Sequence, residues 1–421
     1  MSKLLRFNVG KLVTGTGQVL ELASLIVQHG QIMFVGKQSD APPEPNHDKT
    51  NEHSLNNERS LTIDAPNSTL MPGMIDVHVH LAYSGNPDKR TFRAEAIDAS
   101  YPRLALRAAK YAHNTLKAGF TAVRDMNAPG GVIIDLRDAI NAGDVPGPHI
   151  RACGLGLSIT GGHMDQPGFG DQVALRDMTA PCDGATAFRL GVREQVKRGA
   201  DFIKINLCVG SRATELPYRQ EMHDEEIHAA IDEATRLGVK VAAHTSGGDA
   251  IYKAIQEGLH TVEHGHWIDD KTADVMAERG AYYVPTLLVN ERNFDFGQKE
   301  LGVSDAAWQW LERAREDKWA SLERIHRAGV NIAVGTDAGF MLPHGLMNAI
   351  ELELLVEGGL TPLEALTAAT KTSADLLDMP HIGSLEVGKH ADLVLVPGDP
   401  TQDVTLLQGD LRVFQAGKEV V

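Results

Sequence analysis

Apolar, strand-like runs alternate with amphipathic helical stretches from about residue 70 to residue 380, and this alternation limits the fold more than any other feature. One intervening stretch, residues 224–238, has apolar residues at helical spacing, an acidic first turn and a terminal glycine. Eight strands alternating with helices predict an α/β fold of the (β/α)8 TIM-barrel type. An open doubly wound sheet is the alternative, but no glycine-rich phosphate loop follows the first strand. The eight runs are GMIDVHV, FTAVRDM, HIRACGLGL, FIKINLC, KVAAHTS, TVEHG, AYYVPTLL and NIAVGTDAG.

The two ends of the chain have a different residue pattern from this middle region. Short β-branched runs separated by glycine turns occur before residue 38 and again towards the C-terminus. We therefore predict that residues 1–69 and 379–421 together form a small β-sandwich domain, and that residues 70–378 form the barrel. Residues 38–60 are polar and rich in proline and asparagine, which predicts a loop.

Composition excludes several classes of partner. The 421 residues carry a formal net charge of −16, which argues against binding to nucleic acid or to an anionic membrane. The three cysteines are far apart and form no C-x-x-C motif, so they predict a reducing, cytoplasmic setting without disulfides. No signal peptide is evident, and no apolar run is long enough to predict a transmembrane helix.

Metal-binding side chains stand at the ends of the predicted strands. His78 and His80, in MPGMIDVHVHL, are two apart in a strand and therefore face the same side. In a barrel, the carboxyl ends of the strands meet at one face. A single histidine or aspartate there would be an ordinary core residue or helix N-cap, but the whole set predicts a metal site. Its other members are Lys204 in FIKINLC, His244 in KVAAHTS, His264 in TVEHG and Asp337 in NIAVGTDAG.

Lys204 is the least expected member of this set because it lies inside an apolar run. Burying an unpaired ammonium group is costly, so such a lysine is usually paired, neutral or chemically modified.

The order His-x-His, Lys, His, His, Asp on successive strands resembles the amidohydrolase superfamily over essentially the whole chain. The phrases MPGMIDVHVHL, VEHG, VGTDAG and GSLEVGKHADLVLV look like its imidazolonepropionase-like branch. Within that branch they are most similar to prolidase-like (Xaa-Pro dipeptidase) metallopeptidases and to ochratoxin-degrading amidohydrolases.

This resemblance implies a binuclear metal site. Imidazole and oxygen ligands suit Zn²⁺, with Mn²⁺ or Co²⁺ as alternatives. His260 and His266 match no ligand position of the family and are not assigned. The implied ligands are His78, His80 and Asp337 for one ion, His244 and His264 for the second, and Lys204, carboxylated by CO₂, as a bridge between both.

The resemblance also narrows the reaction. A bridging lysine distinguishes this chain from the imidazolonepropionases proper, whose family pattern has one metal. Gly247 stands where deaminases of the superfamily carry a glutamate, so deamination is disfavoured. Hydrolysis of an amide or peptide bond remains, by attack of a hydroxide that bridges the metals, with Asp337 as the proton shuttle.

Loops at the predicted barrel mouth suggest how the substrate is held. The resemblance implies that His163 helps to polarise the substrate carbonyl, and that Arg212, Tyr218 and Arg219 offer donors for a terminal carboxylate. Each is equally compatible with a solvated loop residue, and His163 and Tyr218 are the preferred candidates for a catalytic role.

We therefore expect a small-molecule substrate, either a dipeptide or an N-acyl amino acid, from which a C-terminal amino acid is released. An Xaa-Pro dipeptidase, a carboxypeptidase and an ochratoxin-type amidase all fit this description. A lactam, lactone or phosphotriester hydrolase on the same site is the alternative, and a non-catalytic scaffold is a remote one. Relatives often form homo-oligomers, and we expect the same of this chain.

Overall fold

The computed structural model describes residues 4–43, 61–88, 91, 94–95, 98–163, 165, 179–208 and 218–420. The chain divides into two compact units. One consists of Met1–Ile75, Leu116–Thr121 and Thr361–Val421, and the other of Asp76–Thr115 and Ala122–Leu360. Among the described residues, no helix has the length and apolar character needed to cross a membrane.

The strands and helices of the described residues have the following bounds. The strands are β1 Leu5–Val13, β2 Val19–Gln28, β3 Gln31–Lys37, β4 Leu61–Pro72, β5 Met74–Val79, β6 Phe120–Asp125, β7 His149–Ala152, β8 Leu157–Ser158, β9 Ala180–Pro181, β10 Ile203–Asn206, β11 Val241–Gly247, β12 Thr261–Trp267, β13 Tyr282–Val284, β14 Asn331–Ile332, β15 Leu393–Pro397, β16 Arg412–Gln415 and β17 Lys418–Glu419. The helices are α1 Tyr101–Lys117, α2 Val132–Ala142, α3 Ala185–Arg198, α4 Asp224–Arg236, α5 Asp249–Glu257, α6 Asp270–Arg279, α7 Leu287–Leu301, α8 Asp305–Arg327, α9 Ile350–Glu357, α10 Pro362–Thr367 and α11 Ser373–Leu376.

Strands from both ends of the chain share one seven-stranded sheet in the order β17-β16-β15-β4-β1-β2-β3. The N- and C-terminal segments meet where β4 pairs antiparallel with β15, with Leu70 opposite Leu395. Alternate residues of β1 face a common apolar core, as the two-residue period of a strand requires. In that core the rings of Phe7 and Phe414 meet edge to face, with their centroids 5.0 Å apart.

Parallel strands, all except β9 at the positions of the predicted runs, have the orders β5-β6-β7 and β14-β13-β12-β11-β10-β8-β9. The backbone amide of Asp201, before β10, donates to the carbonyl of Ala152 in β7 at 2.8 Å. The ring closes between the first and last strands, where the Asp337 amide donates to the His78 carbonyl at 2.8 Å. These contacts confirm the predicted (β/α)8 barrel with a small β-domain.

Two glycines allow the last barrel strand to approach the first. A Cβ atom at Gly335 would lie 2.7 Å from the Cβ of His78, and one at Gly339 would lie 2.4 Å from the carbonyl oxygen of His80. Real Cβ atoms do not tolerate such distances, so any other residue would push the two strands apart. The carboxyl ends of β5 and β14 are therefore held close together, which places their polar side chains side by side.

Candidate active site

Four imidazoles and one carboxylate converge at the carboxyl ends of the barrel strands. The ring centroids of His78 and His80 are 5.5 Å apart, those of His78 and His264 are 4.9 Å apart, and those of His244 and His264 are 4.5 Å apart. Oδ1 of Asp337 lies 3.1 Å from Nε2 of His80 and 3.5 Å from Nε2 of His78. The structure thus brings together the strand-end residues that the sequence singled out.

A buried glutamate fixes the orientation of His78. Oε2 of Glu263 lies 2.8 Å from Nδ1 of His78, and Oε1 accepts a hydrogen bond from Nη2 of Arg124 at 2.6 Å. Burial alone would raise the pKa of Glu263, but Arg124 and His78 outweigh it and hold the pKa below its ordinary value. An ionised carboxylate only accepts hydrogen bonds, so Nδ1 of His78 carries the proton and Nε2 presents a lone pair.

Thr286 fixes His264 in the same way. Its hydroxyl donates to the carbonyl oxygen of Pro285 at 2.7 Å, and its oxygen lies 2.7 Å from Nδ1 of His264. Because the hydroxyl proton is already used, Nδ1 of His264 is the donor. Nε2 of His264 therefore also presents a lone pair.

Asp76 ties the backbones of the first and last strands together. Its Oδ1 accepts from the amides of His78 and Thr336, each at 3.1 Å, and its Oδ2 accepts from the Thr336 hydroxyl at 2.6 Å. The side-chain amide of Asn348 donates to the same Oδ2 at 2.8 Å. Thr336 directly precedes Asp337, so this network sets the position of the Asp337 carboxylate relative to His78.

The convergence of these acceptors favours a bound cation. Burial lowers the pKa of His78 to about 4, so its neutral Nε2 lone pair faces the Asp337 oxygen without a proton between them. Burial alone would raise the pKa of Asp337, but its histidine neighbours lower it, so the group is a carboxylate. Among the described residues, Nε2 of His244 is buried without a hydrogen-bond partner. Imidazole nitrogens and a carboxylate oxygen are the donors that a divalent transition-metal ion prefers, and His78, His80 and Asp337 lie close enough to share one.

Lys204 lies on β10 and is 5% exposed. Burial lowers the pKa of its ammonium group to about 8, although the carboxylates of Glu263 and Asp337 act in the opposite direction. The lysine also interacts electrostatically with His78 and His264, which places it at the same cluster. Its amine therefore loses its proton more readily than the amine of an exposed lysine does.

The residues predicted to contact substrate have different surroundings. The half-buried His163 stacks on His244, with ring centroids 3.7 Å apart and an interplanar angle of 17°. Tyr218 lies near Trp267, with ring centroids 6.0 Å apart, and its hydroxyl donates to the carboxylate of Asp317. Arg219 is exposed, and Arg212 lies outside the described residues.

Several residues at the site were not identified from the sequence. Glu263 was detectable as a charged residue inside the apolar run TVEHG, where burial demands a partner. Its neighbour His264 has φ +68°, which interrupts strand geometry between the two residues. His266, unassigned from the sequence, is buried with its ring 6.4 Å from that of His264. Thr286 left no comparable signal.

Replacing Glu263 with glutamine tests the buried pair. The variant leaves Arg124 buried without a counter-charge, and breaking such a pair costs about 3–5 kcal/mol of unfolding free energy. Urea-induced unfolding measures this difference.

Glu257→Gln is the matched control for that experiment. Glu257 bonds Nδ1 of His228 at the same 2.8 Å, but both side chains are about half exposed. We expect the control to cost at most about 1 kcal/mol. Equal losses in the two variants would show that the burial of Glu263 does not matter.

Comparison with known proteins agrees with the site. Residues 69–420 match the profile described as "Amidohydrolase family". Ochratoxinase from Aspergillus niger is 29% identical over 433 residues, covering 98% of this chain and 83% of that protein. Imidazolonepropionase from Salinispora arenicola is 23% identical, covering 94% of this chain and 92% of that protein.

Solved structures are similar over nearly the whole chain. A Xaa-Pro dipeptidase with bound methionine in the active site has a TM-score of 0.85 and 30% identity, covering 99% of both chains. The A. niger ochratoxinase structure has a TM-score of 0.84 and 28% identity, covering 99% of this chain and 95% of that one. A prolidase complexed with N-methylphosphonate-L-proline has a TM-score of 0.83 and 29% identity, covering 99% of both chains. The resemblance predicted from the strand-end motifs is confirmed: the chain belongs to the amidohydrolase family and is a hydrolase that acts on amide bonds.

Proposed function

We propose that this protein is a binuclear metal-dependent hydrolase that releases a C-terminal amino acid from a dipeptide or an N-acyl amino acid. The observation that carries the proposal is the convergence of imidazole nitrogens and the Asp337 carboxylate beside the buried Lys204. Two similar structures support the substrate class, because one holds methionine and the other a derivative of L-proline. Methionine is a free amino acid, the kind of product that hydrolysis of a dipeptide or an N-acyl amino acid releases, and the second ligand carries an amino acid, L-proline, substituted at its nitrogen.

The residues present fit two divalent ions. Zn²⁺ suits the ligand set, with Mn²⁺ or Co²⁺ as alternatives. Such ions lower the pKa of water and polarise a carbonyl group. The neutral amine of Lys204 adds to the carbon of CO₂ and loses a proton, which gives an anionic group with two oxygen ligands. His78, His80 and Asp337 would hold one ion, His244 and His264 would hold the other, and carboxylated Lys204 would be shared by both.

The protein's own side chains then move the protons. Asp337 accepts a proton from the attacking water and passes it to the leaving nitrogen, which makes the amine a better leaving group. His163 lies against His244 and donates a hydrogen bond to the substrate carbonyl oxygen. The polar network behind Asp337 keeps its carboxylate in place during this transfer.

Recognition of the substrate carboxylate falls to the segment that follows β10 in the sequence. Arg219 is exposed and supplies a positive charge there, and Arg212 is the second candidate. Tyr218 already donates to Asp317, so a substrate carboxylate would have to compete with Asp317 for that hydroxyl. Charge-assisted hydrogen bonds are about twice as strong as neutral ones, which favours an arginine as the main contact.

Removing the lysine amine tests the bridge. Lys204→Ala should lose most bound metal and most activity, because both ions lose a shared anionic ligand. Metal content per chain and turnover are the measurements, and added short carboxylic acids should partly restore both by filling the gap. Lys197→Ala, at an exposed position of α3, is the control. Two ions per chain with full turnover in Lys204→Ala would refute the bridge.

Asp337→Asn tests the proton shuttle. Asp337 has φ +63°, a conformation that asparagine also adopts readily, so the backbone should stay in place. Turnover should fall by at least ~10²-fold, the usual effect of losing a general base. The ion assigned to His244 and His264 should be retained better than the other. Turnover close to that of the wild type would place the base elsewhere.

The third test compares one substrate acid with its carboxamide. A site that pairs a carboxylate rejects the neutral analogue because its donors are left unsatisfied. The catalytic efficiency for the acid should exceed that for the carboxamide by ~10²-fold or more, equivalent to roughly 3 kcal/mol. A ratio near one would exclude a carboxylate site and favour a lactam, lactone or phosphotriester substrate instead.

A further inference from the structure

A second buried lysine lies behind the candidate metal centre and has no part in the proposed function. Lys318, in α8, is 1% exposed. Its Nζ donates to the carbonyl oxygen of Thr286 at 3.1 Å and approaches the Thr286 hydroxyl at 3.4 Å. Burying an amine in a protein interior is costly. Both of these hydrogen bonds go to one residue, Thr286.

Thr286 is held in an unfavourable backbone conformation. Its φ and ψ are +50° and +53°, which is the left-handed region, and a β-branched residue is rarely found there. Strain of this kind persists only where the surrounding contacts impose it, and it is concentrated at functional sites. In this conformation the Thr286 oxygen lies 2.7 Å from Nδ1 of His264.

The segment that follows Thr286 is fixed from the other side. The two carboxylate oxygens of Glu351, in α9, accept hydrogen bonds from the backbone amides of Leu287 and Leu288, each at 2.8 Å. Glu351 and Lys318 are both buried and attract each other electrostatically. Lys318 therefore holds the carbonyl group of Thr286, and Glu351 holds the backbone amides of the two residues that follow it.

Helix α8 also contacts the strand that carries His264. Ser321, one turn after Lys318, donates from Oγ to the carbonyl of His266 at 2.9 Å and accepts from the amide of Ile268 at 2.8 Å. These bonds support the end of β12 without touching Thr286. The helix thus makes two separate sets of contacts, one from Ser321 to the end of β12 and one from Lys318 to Thr286.

We propose that Lys318 is a positioning residue that orients His264 for metal binding through Thr286. The inference rests on the proposed function, because His264 is a metal ligand only if that function holds. When an imidazole binds a metal through one nitrogen, an acceptor for the N–H of its other nitrogen fixes the ring and raises its basicity. Loss of such a partner typically weakens metal binding by 10–100-fold.

Paired substitutions at Thr286 test this route directly. Thr286→Val keeps the shape but removes the acceptor for His264, whereas Thr286→Ser keeps the hydroxyl. The affinity of each ion is measured by competition with a chelator, using Zn²⁺ as the probe. We expect Thr286→Val to weaken one of the two ions by about 10–100-fold, and Thr286→Ser to bind both ions nearly as the wild type does.

The Lys318 variants complete the test. Lys318→Met should weaken the same single ion, and turnover should recover in excess Zn²⁺ with little change in KM. The double variant Lys318→Met with Glu351→Gln avoids a buried charge without a partner and should weaken the same ion. Ser321→Ala is the matched control, because it loosens the end of β12 but leaves Thr286 in place. It should lower thermal stability without selective loss of one ion.

The outcomes separate the two proposals. If the wild-type chain binds two ions and Thr286→Val and the double variant bind both equally tightly, Lys318 is merely structural and the inference is wrong, although the proposed function stands. The inference also fails if Ser321→Ala loses the same ion to the same extent. A wild-type chain that binds no divalent ion would overturn the proposed function, and this inference with it.

Discussion

Glu263 is a fully buried carboxylate that accepts hydrogen bonds from both Arg124 and His78. The arginine keeps it ionised, and the ionised carboxylate decides which nitrogen of His78 carries the proton. With the proton on Nδ1, Nε2 of His78 is unprotonated, and its lone pair faces Asp337. Without this placement of the proton, His78 and Asp337 would share a proton as an ordinary hydrogen-bonded pair, and the site would have less affinity for a cation.

Each of three clustered side chains is held in place by a supporting polar group, and the supporting group differs each time. A carboxylate orients His78, a strained threonine orients His264, and Asp76 acts on Asp337 through Thr336. Supporting groups of this kind hold ligands in the geometry that a metal needs before it arrives. They also hold acceptors close together, which is unfavourable until a cation offsets their repulsion. The framework of the barrel must supply that energy.

The sequence predicted the barrel because the spacing of apolar residues in each strand and helix is a local property. It predicted the strand-end cluster because the carboxyl ends of parallel barrel strands lie at one face. It did not predict the supporting contacts, which depend on pairs far apart in the chain. Arg124 and Glu263 are 139 residues apart, and Tyr218 and Asp317 are 99 apart. The left-handed conformation of Thr286 has no signal in its own sequence, since threonine ordinarily disfavours it.

The backbone at the site is strained because the strand ends must present neighbouring side chains to the same cluster. His264, Thr286 and Asp337 all have positive φ, at 68°, 50° and 63°. A regular strand sends successive side chains to opposite faces, so it cannot present a ligand and its support at neighbouring positions. A single left-handed residue breaks that alternation, and this is how Glu263 and His264 both reach the cluster from one strand. Each such residue costs of order 1–3 kcal/mol, which the surrounding hydrogen bonds must offset. The buried polar networks around Glu263, Asp76 and Lys318 are where those bonds are made, so the placement of the clustered side chains and the stability of the fold depend on the same contacts.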